Sequence, residues 1–164
     1  MQHIYIDTYY IQARLIGHGD DESHAKEQFR KAIERSHKSG EIFIKFPFIV
    51  IGELMNNLNH EELDPTKREQ ALNEFLDILK DEKVDLVPPK IDSLKMATDI
   101  KKEDRYLGVT DILIAAQALC DTNSSLLLTN DSKILESLVI SRINKEMTEK
   151  EERVRKLKIL PYLR

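Results

Sequence analysis

The sequence predicts a three-layer α/β fold, a mainly parallel central sheet flanked by helices. Two observations carry this. Short runs of strand-forming residues alternate along the chain with longer segments whose apolar residues recur at helical spacing. Proline, glycine and Asp-Pro signals punctuate the changes of period. Strands separated by helices return to the sheet by crossovers, which favours parallel pairing.

The elements follow in order. Ile4-Tyr5-Ile6 has strand propensity. Ile11 and Leu15 then take helical spacing, and Gly17 and Gly19 end that segment. From Glu22 to Ser39, the residues Ala25, Phe29, Ala32, Ile33 and Ser36 share one helical face, with Gly40 as the stop. Glu41 to Phe46 reads as a strand, and Pro47 suits the first turn of a helix, where its missing N–H costs nothing. Val50, Ile51, Leu54, Met55 and Leu58 form the buried stripe expected of that helix. Asp64-Pro65 is an N-cap followed by an N1 proline, and Leu72, Phe75, Leu76 and Leu79 are spaced to face a core. Val84 to Val87 is a short strand closed by Pro88-Pro89. Ile91, Leu94, Ala97 and Ile100 mark a helix that dissolves into the charged residues Lys101 to Arg105.

Thr110 is the expected N-cap of an apolar helix from Asp111 to about Leu119. Ser125 to Thr129 is the clearest strand, and short helical material follows from Ser132. Residues 139 to 150 show no clean period. Thr148 with Glu151 suggests a capping box opening a charged helix. The whole chain, residues 1–164, reads as one domain, with 141–158 a charged helical segment and a last strand near 157–160.

Composition narrows the function classes. The 41% hydrophobic and 33% charged residues describe a globular chain with a solvated surface. No apolar run reaches the roughly 18 residues of a membrane span, and the N-terminus lacks the pattern of a secretory signal. Cys120 is the only cysteine, which excludes an internal disulfide and fits a reducing cytoplasm, with the thiol expected inert in the core. The net charge of -4 does not advertise a nucleic-acid binder, although a local basic patch or bound cations can neutralise phosphates. The clusters Asp20-Asp21-Glu22 and Glu61-Glu62 read as solvated charge.

Four other acids stand at apolar segments. Asp7 closes Ile4-Tyr5-Ile6, Glu53 lies within Phe48 to Met55, Asp111 opens the run to Leu119, and Asp131 follows Leu126 to Asn130. Carboxylates beside a core are costly unless compensated, and a divalent cation is the usual compensation. Asp7 and Asp131 stand at strand carboxyl ends, where α/β sheets form their ligand sites, and Glu53 and Asp111 lie in helices able to reach the same edge. Hard oxygen donors of this kind suit Mg2+ or Mn2+, whose chemistry is water activation and phosphoryl charge neutralisation. The five histidines are dispersed and lack zinc-site spacing.

In this order the motifs resemble those of the PIN-domain nucleases, especially the small VapC-type toxins of prokaryotic toxin–antitoxin pairs. The matching pieces are Ile6-Asp7-Thr8, Ile51-Gly52-Glu53-Leu54, Val109 to Ala118 and Leu128-Thr129-Asn130-Asp131, spanning roughly residues 3 to 138. The resemblance implies Asp7, Glu53, Asp111 and Asp131 as metal-binding catalytic acids, with Thr129 orienting one of them or a water, and Thr8 in support. It also implies Mg2+- or Mn2+-dependent cleavage of RNA, a cognate antitoxin partner and a homodimer. Two readings within the family stay open: a nuclease of RNA processing or decay without an antitoxin, and an inactive PIN-like binding module. An aspartate-based phosphotransfer domain is disfavoured, because Asp7-Thr8-Tyr9 lacks the second acid two residues on.

Three of the acids also have a plainer role: Asp111 as a dipole-favoured acid at a helix start, Asp131 as a cap, Glu53 as a stripe-edge residue; Asp7, directly after a buried strand, is the acid least expected to lack a partner. Asp104 is the candidate auxiliary ligand from the mixed-charge run. Arg14 and Lys133 are candidate phosphate contacts for which a surface role is the default, and of Tyr9 and Tyr10 one is expected in the core. The stretch from Lys145 to Lys158 reads as a solvated amphipathic helix, or secondarily a partner surface.

Overall fold

The computed structural model describes residues 1–17, 22–60, 63–150 and 155–163. Its five strands are β1 (Gln2–Ile6), β2 (Ile42–Pro47), β3 (Val84–Val87), β4 (Ser124–Leu128) and β5 (Lys158–Leu160). All pair in parallel, in the order β3-β2-β1-β4-β5. The helices are α1 (Thr8–Leu15), α2 (Glu22–Ser39), α3 (Phe48–His60), α4 (Pro65–Leu79), α5 (Ile91–Glu103), α6 (Val109–Cys120), α7 (Ser132–Glu136) and α8 (Leu138–Glu149). The expected three-layer α/β architecture is therefore present.

Side-chain alternation along the central strands sorts the layers. On one face Phe46 of β2 meets Phe29 of α2 and Phe75 of α4, with ring centroids 6.3 and 6.4 Å away. On the other, His3 and Tyr5 of β1 both bond Asp121, the C-cap of α6, at 2.6 and 3.1 Å. Because α6 ends where β1 begins, it runs antiparallel to the strands. Its first turn consequently stands at the carboxyl edge of the sheet. Ile6, Ile11, Ile44, Leu54, Ile114 and Leu127 are fully enclosed in the continuous core.

Several expectations need correction. Pro47 is the last residue of β2, in register with Val87, and α3 starts at Phe48. Proline lacks the N–H to extend a ladder, so it ends the strand instead of opening the helix. Gly108, not Thr110, is the N-cap of α6. Met55, Leu76, Ile91 and Leu94 are exposed rather than buried. In α5 the inward stripe is Ser93, Ala97 and Ile100, whose small members allow close approach to α6 and turn Ile91 and Leu94 outward.

The region without a clean period, 139 to 150, is largely α8. Its stripe is hard to read because a polar residue, Asn144, is buried within it. Asn144 accepts from Leu157 N–H at 3.0 Å and donates to Leu157 C=O at 2.7 Å, fastening the helix beside β5. The Thr148 hydroxyl donates to Asn144 C=O at 2.8 Å from inside α8, so Thr148 caps nothing; Glu151 lies outside the described residues. Likewise Gly19, the pair Asp20-Asp21 and the pair Glu61-Glu62 lie outside them. The charged segment 141–158 is helical only through Glu149 among its described residues, and Arg155 to Leu157 are not helical.

Candidate active site

The sheet order places the two clearest acids together. From β1 the chain builds outward to β2 and β3 on one side, and β4 and β5 occupy the other. The space above the carboxyl ends of β1 and β4 is thus a topological switch point, the standard place for an α/β ligand site. Ile6 is in register with Leu128, and Asp7 N–H donates to Leu128 C=O at 3.0 Å. Asp7 stands at the N-cap position of α1 without a side-chain capping bond, and Asp131 caps α7, so both strand-end acids lie at helix N-termini, where the dipole favours negative charge. Asp111 occupies the first turn of α6. Glu53 comes from the second turn of α3, the helix that β2 launches over the same edge.

Asp7, Glu53, Asp111 and Asp131 all line one cleft of about 340 Å³. Each is held by its own contacts. The Thr129 hydroxyl, fully buried, donates to Asp7 Oδ2 at 2.6 Å and accepts from Asp131 N–H at 3.1 Å. One hydroxyl thereby ties the two strand-end acids together. Thr8 Oγ1 donates to Glu53 Oε2 at 2.5 Å. Asp131 Oδ1 accepts from Lys133 N–H at 2.6 Å, the capping role expected of it. A Cβ placed on Gly108 would come within 2.5 Å of Asp111 Oδ2, so this position must remain glycine for the carboxylate to sit where it does.

The electrostatics are those of an anionic cluster short of positive charge. Burial pushes the Asp7 carboxyl up to about 6, and the charges of Glu53 and Asp111 push the same way against the Thr129 hydrogen bond. Asp111 is also raised, by burial and then by Asp131 and Glu53, with the Gly108 backbone and Lys133 opposing. Among the described residues, no three Asp, Glu, His or Cys side chains converge into a ready coordination shell. Glu53 is turned to Thr8 and Asp131 to the backbone of α7. The donor set itself, oxygen-only and anionic around a buried carboxylate, fits a hard divalent cation.

The remaining candidates divide. Thr129 does not open on the cleft; its hydroxyl lies behind Asp7 and the Asp131 backbone. Thr8 does line the cleft. Asp104 is elsewhere, accepting from the Ser137 hydroxyl at 2.9 Å. Arg14 pairs with Glu74 of α4 at 2.5 Å, and Lys133 is exposed beside the site. Tyr10 is buried while Tyr9 lines the cleft. Cys120 is half-buried, with Sγ 3.7 Å from Met96 Sδ. Sequence reasoning passed over Gly108, Gln12 and Asn57. The last two also line the cleft, and each lies four residues, one helical turn, beyond a residue already singled out, Thr8 and Glu53.

The family model described as "PIN domain" matches residues 4–138. The chain belongs to the PIN domain family. Among solved structures, this PIN domain is similar to a chain of VapBC2 from Rickettsia felis, bound there to a DNA fragment from its promoter. That match has 18% identity and a TM-score of 0.60, covering 84% of this chain and 95% of that one. A chain of FitAcB from Neisseria gonorrhoeae is similar at 15% identity and a TM-score of 0.47, covering 79% and 88%. No curated protein sequence matches. The acids of the cleft all fall within the matched span of the PIN domain. No helix among its described residues is long and apolar enough to cross a membrane.

Proposed function

We propose that this PIN domain is a metal-dependent endoribonuclease and the toxin of a toxin–antitoxin pair. The observation that carries the nuclease reading is the cleft itself. Four carboxylates from four separate elements open on it, around an aspartate buried enough to hold its proton to about pH 6. Such an arrangement destabilises the fold unless a cation joins it. Asp7, Glu53, Asp111 and Asp131 would hold Mg2+ or Mn2+, which polarises a phosphodiester and acidifies water next to it.

The chain's own residues supply the placement. Thr129 fixes the Asp7 carboxylate and the loop bearing Asp131, and Thr8 fixes Glu53. The choice of RNA as substrate, a cognate antitoxin, a homodimer and a cytoplasmic setting rest on the ordered motifs around these acids. One catalytic unit spanning residues 1–164 belongs to the same reading, supported by β5 joining the common sheet.

Single-stranded RNA should be cleaved with Mn2+ or Mg2+, and EDTA should abolish cleavage. Asp7→Asn should be inactive while retaining the native circular dichroism spectrum. Full activity in chelator, or in the variant, sinks the metal-dependent mechanism, and no cleavage in either metal sinks the nuclease reading. The toxin role is tested separately, by whether the product of a neighbouring small gene binds the protein and silences cleavage.

A further inference from the structure

One end of the cleft carries no charge. Asn57 of α3 donates its side-chain N–H to Gln12 Oε1 of α1 at 2.8 Å, and both side chains line the cleft. The pairing uses one donor and one acceptor. It leaves the two Gln12 amide N–H groups, the second Asn57 N–H and the Asn57 carbonyl without a hydrogen bond to another described residue. Both side chains are half-buried, and these groups open on the cleft, where a ligand can reach them.

Their location relative to the acids is set by helical geometry. Gln12 follows Thr8 by four residues in α1, and Asn57 follows Glu53 by four in α3. At a rise of about 1.5 Å per residue, Gln12 stands about 6 Å along α1 from Thr8, and Asn57 about 6 Å along α3 from the Glu53 carboxylate. That is on the scale of the separation between a phosphate and its own base. Tyr9 lines the same cleft, its ring perpendicular to Tyr10 at a centroid distance of 5.4 Å.

We infer that the Gln12–Asn57 amide pair reads the edge of an RNA base next to the scissile phosphate. A phosphate is a poor occupant for this end, because the acids repel it and the amides offer no compensating charge. A base edge is neutral and presents donor and acceptor side by side, as the pair does. Where the base's own phosphate, held at the acids, fixes which way the base faces, the order of N–H from Gln12 and C=O from Asn57 separates bases by edge type. Adenine and cytosine pair an amino donor with a ring-nitrogen acceptor, whereas uracil pairs a ring N–H with a carbonyl. Selection arises because the wrong edge leaves the amides unpaired in a half-buried site.

The inference rests on the nuclease reading, and its test separates the two. Fluorescent oligo(A), oligo(C) and oligo(U) of equal length are titrated with the full-length protein in Ca2+ by anisotropy, and their cleavage is timed in Mn2+. The parent should discriminate oligo(U) from oligo(A) and oligo(C) by about tenfold or more. The double variant Gln12→Met, Asn57→Leu, similar in shape but without hydrogen bonds, should bind all three within about threefold. Its melting temperature and Mn2+ affinity should match the parent's, since neither residue belongs to the acid set. If the double variant fails to fold, Gln12→Met alone removes the N–H half and should shrink the same spread. Equal binding of all three oligonucleotides by the parent overturns the inference, as does a spread that survives in the variant. Base-selective binding without cleavage in any metal would sustain the amide role and overturn the nuclease reading instead.

Discussion

Removing the charge of Asp7 should stabilise the metal-free protein near neutral pH. In the folded chain this carboxyl keeps its proton to about pH 6, whereas its ordinary value is 3.8. Between those values the folded state binds more protons than the unfolded chain, so stability falls as pH rises. The contribution is complete below pH 3.8 and lost above pH 6. At about 1.4 kcal/mol per pH unit, the gap is worth about 3 kcal/mol. The neutral amide of the Asp7→Asn variant would avoid this cost, and its oxygen would still accept the Thr129 hydroxyl. The assay is urea unfolding of parent and Asp7→Asn in EDTA, at about pH 4 and about pH 7.5, on either side of the titration. Asp111 titrates in the same direction, so the decisive quantity is the difference between the two proteins' pH dependences. The variant should gain up to about 3 kcal/mol relative to parent on going to the higher pH. Mn2+ should then stabilise the parent more than the variant. Equal pH slopes in the two proteins would refute the argument, because Asp7 would not be the strained group of the cleft.

Three further outcomes follow from individual contacts. Thr129→Val keeps the shape but removes the hydroxyl shared by Asp7 and Asp131. It should cost about 2 kcal/mol in urea unfolding and reduce cleavage, with Thr129→Ser restoring both. Gly108→Ala puts a methyl group where the Asp111 carboxylate sits. Mn2+ affinity by calorimetry should fall by roughly an order of magnitude, while urea unfolding in EDTA should lose only about 1 kcal/mol, the ordinary cost of alanine at an N-cap. Asn144→Ala strands the buried N–H and C=O of Leu157. It should destabilise by about 2–4 kcal/mol, with faster hydrogen exchange in β5.

How much of this was legible in the sequence depended on whether a signal was local. Asp64-Pro65 announced α4 because capping involves only neighbouring residues, and Asp64 does accept Lys67 N–H at 3.0 Å. The alternation of strand and helix was equally plain, and so were the four acids, since a carboxylate beside an apolar run is conspicuous in one dimension. By contrast α8 was obscured by Asn144, whose burial is explained only by a partner at Leu157. The outward turn of Ile91 and Leu94 was unreadable because α5 chooses its buried face by packing against α6.

The amino-acid order alone therefore determined the layers, the parallel sheet and the identity of the acidic side chains, all consequences of period and propensity within a few residues. Tertiary structure decided what those residues face. The sheet order β3-β2-β1-β4-β5 brought Asp7 and Asp131 to one switch point. The crossing of α1 and α3 paired Gln12 with Asn57, and the turn into α6 pressed Asp111 against Gly108. These are contacts between segments far apart in the chain, or a fit of one side chain into the space another lacks. No local pattern encodes either, because both depend on how whole elements pack.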